Sequence, residues 1–424
     1  MNTIRKESLI TFLNTTARWC VYLLIFSLPF SKSLIEICAV LAAITLVAKK
    51  ALTGERPLIR APLRAPIVIF LAASCLSFIN TDFFYLSFFR GLISKYAEFV
   101  LIYCIVVEVI DTKAKADDLL TMSLLSLGLV TIDGFIQYYV LHVDLLHQPG
   151  YPSFKYMPSY DVFPYIGFPT ASFPYPNDLA AWLLIYLVPL LSVILFTAGL
   201  RKIRLVSIAL FIPAFYLFIL TKARGAWLGF SAAIIALLVC NIRKALSVVV
   251  AVAVIITIAF FVMRTMPSDN QSYHSLLQDI FSMSSVSDRS VMWNNGWKIF
   301  MKHPVIGNGL NTFFRHYAAV REDEFRNSKG SYVHNCYLQM AAETGIVGLG
   351  AFLFLVGAFI VVSRRRIGHV RNADYANIAL GLMAGIIGFL VHSSVDTNLY
   401  SLNLATLFWF SMGSVIALSS RELS

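Results

Sequence analysis

The chain has 424 residues, of which 58% are apolar and only 13% are charged, and its mean hydropathy is +0.73. Soluble proteins carry about 25% charged residues and about 45–50% apolar ones, so the composition excludes a water-soluble fold. A membrane-spanning helix takes about 20 residues, and twelve of them would leave about 184 residues for loops and termini. We expect those loops to carry the chemistry.

The 34 lysines and arginines exceed the 23 acidic residues by 11, and the sequence pI is near 9.3. In a membrane protein this excess needs no nucleic-acid partner, because cytoplasmic loops collect cations. The six cysteines show no paired spacing, which argues against a metal centre or a disulfide framework. Nucleotide-binding loops and HExxH or GxSxG patterns are also absent, so we expect neither a metal nor a cofactor.

Apolar runs of helical length recur along the chain and predict an all-α, polytopic membrane protein with about twelve transmembrane helices. The runs are 17–30, 33–48, 66–79, 91–110, 119–141, 179–198, 203–220, 225–241, 245–264, 343–362, 374–392 and 402–418. Two long loops interrupt them, at 142–178 and 265–342. We therefore divide the chain into nine spans within 1–264, the large loop 265–342 with short helices, and three spans within 343–424.

The connections between these runs alternate between cation-rich and cation-poor. One set holds nineteen lysines and arginines, whereas the other set holds six outside the large loop, namely Lys32, Arg90, Lys95, Lys155, Lys222 and Arg224. Because cytoplasmic loops retain positive charge, the cation-rich set is predicted to be cytoplasmic, together with both termini. Both long loops then lie on the outer face of the membrane.

The loop 142–178 contains seven of the fifteen prolines and nine aromatic residues. So many prolines exclude a regular helix. Rings with little accompanying charge are typical of a segment at the level of the lipid headgroups. Stacking of these rings on a sugar is the sharper hypothesis, and an interfacial aromatic belt is the simpler alternative.

A short helix is predicted inside the loop 265–342. Asp288 is a plausible N-cap, Pro304 ends the segment, and Gly307-Asn308-Gly309 supplies a turn. Four large apolar side chains repeat at helical spacing between these limits: Trp293, Trp297, Phe300 and Met301. We expect this helix to lie on the membrane surface with its aromatic side chains toward the lipid.

Three cations near the outer ends of the spans are candidates for binding an anion. Lys222 and Arg224 lie between two apolar runs that are too close for an ordinary loop, where charges are usually partnered, although Lys222 could equally snorkel to the interface. Arg289 lies in the predicted first helical turn, where the helix dipole disfavours a cation. Either an anion or Asp288 could be its partner. Two arginines outside the membrane suit a diphosphate, because a guanidinium binds phosphate oxygens bidentately.

His334, which precedes the tenth predicted span, is the candidate general base. An imidazole can accept a proton near neutral pH. A lone histidine is more often structural, so the residue type alone does not carry the assignment. Asn335, Glu343 and Asp288 are possible supporting residues, since carboxylates orient histidines or arginines in many sites.

Three strings occur in an order that resembles the bacterial O-antigen ligase and polymerase superfamily. They are R-x-x-x-W (Arg289, Trp293), H-P-x-x-G-x-G (303–309) and H-N-x-x-L-x-x-x-x-E-x-G-x-x-G (334–348). The twelve-span layout with a long external loop before the tenth span is similar to the O-antigen ligase arrangement over nearly the whole chain. The ending His392-Ser393-Ser394-Val395-Asp396 also resembles that family, without a role attached to it.

The resemblance implies a C-type membrane glycosyltransferase of the bacterial inner membrane with a periplasmic active site. It would transfer a glycan from undecaprenyl diphosphate to a hydroxyl of the lipid A core oligosaccharide, with inversion and without a metal. Matched residue by residue, Arg224 and Arg289 correspond to the family's diphosphate-binding arginines and His334 to its candidate base. Lys222 is a further candidate contact for the diphosphate because it neighbours Arg224.

Two alternatives remain open. An O-antigen or exopolysaccharide polymerase would use the same donor but a glycan acceptor on another carrier. A transporter or flippase belongs to a different class, and four acids in or beside the predicted spans could mark an ion path: Glu36, Glu98, Glu108 and Asp133. Paired broken helices and a two-half repeat, which many transporters show, are not evident in the sequence.

Overall fold

The computed structural model describes residues 3–55, 62–82, 84–141, 143, 145–146, 168–197, 201–240, 284–320 and 332–420. Within these ranges the regular structure is helical, as the sequence predicts. The buried side chains of the helices form one continuous apolar core. A smaller apolar cluster includes Val333, which directly precedes His334, together with Ile299, Phe313, Tyr317 and Ala342.

We number the described helices in chain order. The first seven are α1 Thr3–Ser27, α2 Lys32–Thr53, α3 Arg64–Leu76, α4 Tyr85–Gly91, α5 Glu98–Val109, α6 Lys113–Ile136 and α7 Pro176–Phe196. The next seven are α8 Arg201–Leu220, α9 Arg224–Cys240, α10 Ser284–Phe300, α11 Phe313–Val320, α12 Cys336–Ile367, α13 Ala373–His392 and α14 Leu402–Leu418. A π-helical stretch, Leu92–Ala97, joins α4 to α5 without a break.

Eleven of the twelve predicted runs coincide with helices, and the ninth, 245–264, lies outside the described residues. Six described helical segments are long and apolar enough to cross a membrane: Arg5–Ser27, Lys113–Leu141, Pro176–Phe196, Arg201–Leu220, Cys336–Ile367 and Ala373–His392. Three further apolar helical segments, Arg64–Asn80, Arg224–Cys240 and Leu402–Leu418, are shorter. These helices support a multi-pass membrane protein, while the total of twelve spans and the C-type fold stay predictions.

Helices α7 and α13 lie in the interior of the bundle together with α14, whose residues from Asn403 to Leu418 are all buried. They pack closely at Gly381 of α13, where a Cβ would lie 2.6 Å from Cβ of Ser192 and 2.7 Å from Cα of Pro189. Small residues permit such close helix approaches in membranes. Helices α7 and α13 therefore run side by side through the bundle.

Contacts between helix ends follow the predicted alternation of loops. At the end that the sequence predicts to be external, Nδ2 of Asn403 donates to the carbonyl of Leu28 at 2.9 Å. At the opposite end, Lys50 pairs with Glu108 at 2.9 Å, and Nδ2 of Asn377 donates to the carbonyl of Phe196 at 3.0 Å. Helix ends predicted to share a face of the membrane are thus neighbours in these contacts.

Helix α12 is kinked at Gly345, whose φ of 68° and ψ of −175° are not helical. The kink frees two backbone N–H groups, and the loop after α10 accepts both: Ile346 N–H donates to the carbonyl of Pro304 at 2.9 Å, and Val347 N–H to that of Val305 at 3.2 Å. A Cβ on Gly345 would collide with the backbone of Val305. The segment 303–309 therefore packs against the segment 334–348 at the kink, and their hydrogen bonds attach the loop after α10 to α12.

Candidate functional site

A buried carboxylate follows α13 at the end of the bundle where α7, α9 and α12 begin. The side chain of Asp396 is 6% exposed. Its Oδ2 accepts a hydrogen bond from Nδ2 of Asn177 at 2.7 Å, and its Oδ1 accepts one from the backbone N–H of Thr397 at 2.8 Å. The carboxylate also lies 3.3 Å from Nδ1 of His334 and 3.7 Å from Nε2 of His392. These partners provide the pairing and hydrogen bonding that a buried charge requires.

His334 is presented to Asp396 by the turn that starts α12. His334 has a left-handed backbone with φ of 52°. Next to it, Asn335 caps the helix, because its Oδ1 accepts the N–H groups of Tyr337 and Leu338 at 3.1 and 3.0 Å. The imidazole is 36% exposed, and within the described ranges no group hydrogen-bonds its Nε2. Nε2 is therefore the nitrogen that can meet a substrate.

The protonation of this pair follows from its surroundings. Burial by itself raises the pKa of Asp396, but the hydrogen bond with His334, the neighbouring His392 and the N–H of Thr397 together hold that pKa below its ordinary value. The carboxylate is therefore ionised at neutral pH and can only accept hydrogen bonds. Nδ1 of a neutral His334 then carries the hydrogen, and the lone pair is on Nε2.

Cys336 fixes the Asp396 segment against the first turn of α12. Its backbone N–H donates to the carbonyl of Ser393 at 2.9 Å, and its thiol donates to the carbonyl of Asp396 at 3.1 Å. The side chain is fully buried. Its two hydrogen bonds therefore position the segment that carries Asp396.

Helix α9 carries Arg224 to the same place. It packs on α13 through two glycines one turn apart: a Cβ on Gly225 would lie 2.8 Å from Cδ2 of His392, and a Cβ on Gly229 would collide with the carbonyl oxygen of Gly388. Arg224 is the first residue of α9 and its side chain is exposed. Its helix therefore begins directly beside the ring of His392.

Helix α10 brings Arg289 from another direction. Arg289, Trp293 and Gly296 share one face, because they stand at i, i+4 and i+7. That face packs against the start of α12, where a Cβ on Gly296 would lie 3.0 Å from the side chain of Val333. Arg224 thus starts the helix that packs on His392, and Arg289 lies on the helix that packs against the segment of His334.

The predicted start of α10 is wrong. The helix begins at Ser284, so Asp288 is not its N-cap, and Arg289 lies in the second turn rather than the first. The physical reason is that residues 284–287 contain neither proline nor glycine and continue the helix upstream. The dipole argument for an anion at Arg289 therefore fails, because that effect falls off within the first turn.

The apolar side chains of α10 divide between two environments. Trp293 and Phe300 pack against the small cluster that includes Val333 of the segment before α12. In contrast, Trp297 and Met301 are 53% and 54% exposed. The expectation that all four face lipid is wrong for Trp293 and Phe300, because the protein covers that face, and it stays a prediction for the other two.

Lys222 forms the turn between α8 and α9 with a left-handed φ of 51°. Its side chain is half-buried, and Nζ lies 5.2 Å from the centre of the Phe168 ring. The end of the aromatic loop 142–178 therefore reaches the turn that leads into Arg224. Residues 147–167 of that loop lie outside the described residues, so a sugar-stacking role for its rings stays a prediction.

Glu343 hydrogen-bonds the turn that follows α10. Among the described residues, its contacts do not include His334, Arg224 or Arg289. Its side chain is buried, and Oε2 accepts the N–H of Asn311 at 3.0 Å, while its backbone carbonyl accepts the N–H of Gly309 at 3.0 Å. Nζ of Lys95 donates to Oδ1 of Asn311 at 2.8 Å. Glu343 therefore positions the turn after α10, and Asn335 acts as a helix cap.

Two of the four acids considered for an ion path have structural partners. Glu108 pairs with Lys50. Asp133 accepts hydrogen bonds from the backbone N–H of Leu145 and from Oγ of Ser172, both at 2.7 Å. These contacts account for their presence in or beside the spans without an ion path.

Sequence reasoning assigned no role to Asp396, His392 or Asn177. A signal existed for two of them, because His392 and Asp396 stand four residues apart at the end of an apolar run, and ionisable groups at such places are usually functional. Asn177 offered no such signal. Its contact with Asp396 joins positions 219 residues apart in the sequence.

Comparison with known proteins finds one family model that matches part of the chain. Residues 208–353 match the family model described as O-Antigen ligase. The matched segment contains Arg224, Arg289 and His334 and the loop that inserts at the kink of α12, while Asp396 lies beyond it. No curated protein matches the chain. The match supports the resemblance found in the sequence: over residues 208–353 the chain is similar to the O-antigen ligase family.

Proposed function

We propose that this protein is an O-antigen ligase of the bacterial inner membrane. It transfers a glycan from undecaprenyl diphosphate to a hydroxyl of the lipid A core oligosaccharide, on the periplasmic face. The observation that carries the proposal is the pair of His334 and Asp396, at 3.3 Å, beside the helix that starts with Arg224, while the helix that bears Arg289 packs against the segment of His334. A base and two cations at one end of the bundle suit the transfer of a glycan from a diphosphate.

His334 is the general base in this mechanism. Nε2 accepts the proton of the acceptor hydroxyl while the oxygen attacks the anomeric carbon of the donor sugar. Asp396 accepts Nδ1–H, which keeps the lone pair on Nε2 and stabilises the imidazolium as it forms. Asn177 and Thr397 hold the carboxylate in place through their hydrogen bonds at 2.7 and 2.8 Å.

Arg224 and Arg289 act on the leaving group. As the new glycosidic bond forms, the bond between the anomeric carbon and the diphosphate oxygen breaks, and undecaprenyl diphosphate departs with the electron pair. Oriented cations stabilise this growing negative charge most effectively where water is scarce. A single displacement of this kind inverts the anomeric configuration. The donor is already activated by its diphosphate, so the step needs neither a nucleotide nor a metal.

His392 is a positioning residue. Its imidazole is 2% exposed and lies between the carboxylate of Asp396 and the helix that starts with Arg224. The ring thereby sets the spacing between the base and the cations. Lys222 is a further candidate contact for the diphosphate, because its turn leads directly into Arg224.

Reconstitution tests the proposal. The purified protein in liposomes is supplied with undecaprenyl diphosphate-linked O-antigen and lipid A core, and a gel resolves the products. Capped lipid A core supports the ligase. Longer lipid-linked glycan without capping would instead identify a polymerase, and proton-coupled uptake of a solute without glycan transfer would identify a transporter.

A further inference from the structure

The end of the bundle opposite His334 contains a cavity of about 370 Å³. Its walls come mainly from α6, α7, α8, α13 and α14. The size falls within the range of about 300–1,000 Å³ that is typical of small-molecule sites. None of its lining residues belongs to the site around Asp396.

The cavity runs along the helices from the bundle end toward its middle. On α14 the lining residues extend from Leu407 to Leu418, which corresponds to about 16 Å of helix. On α13 and its cap they extend from Asn372 to Leu382. Both stretches start at helix ends that the cation distribution predicts to be cytoplasmic. The cavity therefore occupies the cytoplasmic half of the bundle.

The walls are mainly apolar, with side chains such as Leu120, Leu190, Ile378 and Phe410, and the hydroxyl groups of Thr121, Ser123, Ser207, Ser411 and Ser414 lie among them. An empty cavity of this kind forfeits the van der Waals contacts of its lining. The surrounding medium at this depth is lipid. An aliphatic chain is therefore the occupant that matches both the walls and the surroundings.

The mouth of the cavity is polar, and charged residues surround it. Lys113, Asn372 and Asp374 line it, and Tyr375 donates its hydroxyl to Asp117 there at 2.5 Å. Exposed cations flank the lining residues on α8 and before α13: Arg201, Lys202, Arg204 and Arg371. Counted over the lining and its flanking residues, six cations (Lys113, Lys115, Arg201, Lys202, Arg204 and Arg371) exceed four acids (Asp111, Asp117, Asp118 and Asp374). This excess favours an anionic headgroup, and basic pockets between helices on the cytoplasmic side suit acidic phospholipids.

We propose that this cavity is a binding site for one acidic phospholipid of the cytoplasmic leaflet. One acyl chain fills the cavity, and the phosphate lies at the mouth near Lys113. Because α13 runs from Asn372 at the mouth to His392 at the other end, a bound lipid stabilises the helix that carries the candidate site. A ligand that binds only the folded state raises its stability.

Native mass spectrometry of the delipidated full-length protein tests the site, with phosphatidylglycerol, phosphatidylethanolamine and undecaprenyl phosphate offered at equal concentrations. We expect one retained phosphatidylglycerol per chain and a higher Tm in its presence. Ser207→Leu and Ser411→Leu fill the cavity from two helices and should weaken retention about tenfold or more. Ser231→Leu on the exposed face of α9 is the matched control and should bind as the wild type does.

Equal retention by the wild type and both filling variants would overturn the proposal, as would a preference for undecaprenyl phosphate or phosphatidylethanolamine. If the filling variants fail to fold, the lipid preference of the wild type in native mass spectrometry decides the question alone. Phosphatidylglycerol with a photoreactive group in its acyl chain should label peptides around Leu120 and Ile378. Labelling confined to peptides outside the cavity would contradict the assignment.

Discussion

Nδ1 of His334 and Oδ1 of Asp396 lie 3.3 Å apart, although the two residues are separated by 62 positions in the sequence. The contact joins the start of α12 to the segment after α13, and Cys336 ties the same two segments together. It converts a lone histidine into an oriented acceptor with its lone pair on Nε2. The proposed mechanism depends on this pair.

Replacement of Asp396 by Asn should remove this orientation. The amide can donate to Nδ1, which favours the wrong tautomer, and we expect kcat to fall about 10²-fold or more. The donor KM should change little, because Asp396 does not contact the diphosphate in the proposed mechanism. Asp82→Asn makes the same chemical change at an external turn with φ of 50°, which Asn tolerates, and should keep wild-type kcat. Equal kcat values for the two variants would remove Asp396 from the mechanism.

The arginines should depend on their planar guanidinium groups. Arg224→Lys and Arg289→Lys keep the charge but lose the fork that binds phosphate oxygens, so kcat/KM for the lipid-linked donor should fall about tenfold or more. Arg90→Lys changes an exposed arginine of α4 in the same way and serves as the control. Full activity of either site variant in a donor titration would reduce that arginine to a general positive charge.

The kink of α12 should require glycine. In Gly345→Ala the new methyl would collide with the backbone of Val305 at a φ of 68°, and the left-handed conformation alone costs about 1–2 kcal/mol. We expect a clear fall in Tm in detergent. Gly350→Ala lies on the same helix with no atom within 4 Å of the new Cβ, so its Tm should match or exceed that of the wild type. Similar Tm values for the two variants would contradict the assigned role of the kink.

The lowered pKa of Asp396 predicts a specific pH dependence of stability. A folded-state pKa below the unfolded value of about 3.9 means that the ionised carboxylate contributes stability above that pH, and that this stability is lost as the pH falls toward the folded pKa. The Tm difference between the wild type and Asp396→Asn should therefore stay constant from pH 8 to about 5 and narrow below about pH 4. A difference that widens on acidification would show that the sign is wrong.

The sequence predicts the helical membrane architecture well, and it selects Arg289 and His334 as site residues whose roles stay predictions. The architecture follows from composition and from the apolar runs, because a bilayer imposes the length of each span and the charge of the loops. The choice of site residues follows from the ordered strings around Arg289, His303 and His334. Local patterns at the helix ends are weaker guides, as the start of α10 at Ser284 illustrates.

The partners of His334 lie beyond sequence reasoning for a physical reason. Asp396 contacts His334, and Asn177 contacts Asp396, only because α7, α12 and α13 pack with their ends together. Likewise, the sequence suggests Glu343 as a residue that supports catalysis. In the structure α12 is kinked at Gly345, and Glu343 instead accepts a hydrogen bond from the N–H of Asn311 in the neighbouring loop. Tertiary packing therefore decides which polar residues serve the site and which serve the fold.

The most direct test of His334 as the general base is the rate of glycan transfer by purified His334→Ala, with lipid-linked donor and lipid A core supplied. We expect this variant to form no capped product while it still binds the donor and inserts into the membrane. His369→Ala removes an exposed histidine between α12 and α13, at the other end of the bundle, and should transfer at the wild-type rate. Wild-type transfer by His334→Ala would contradict the assignment of His334 as the base.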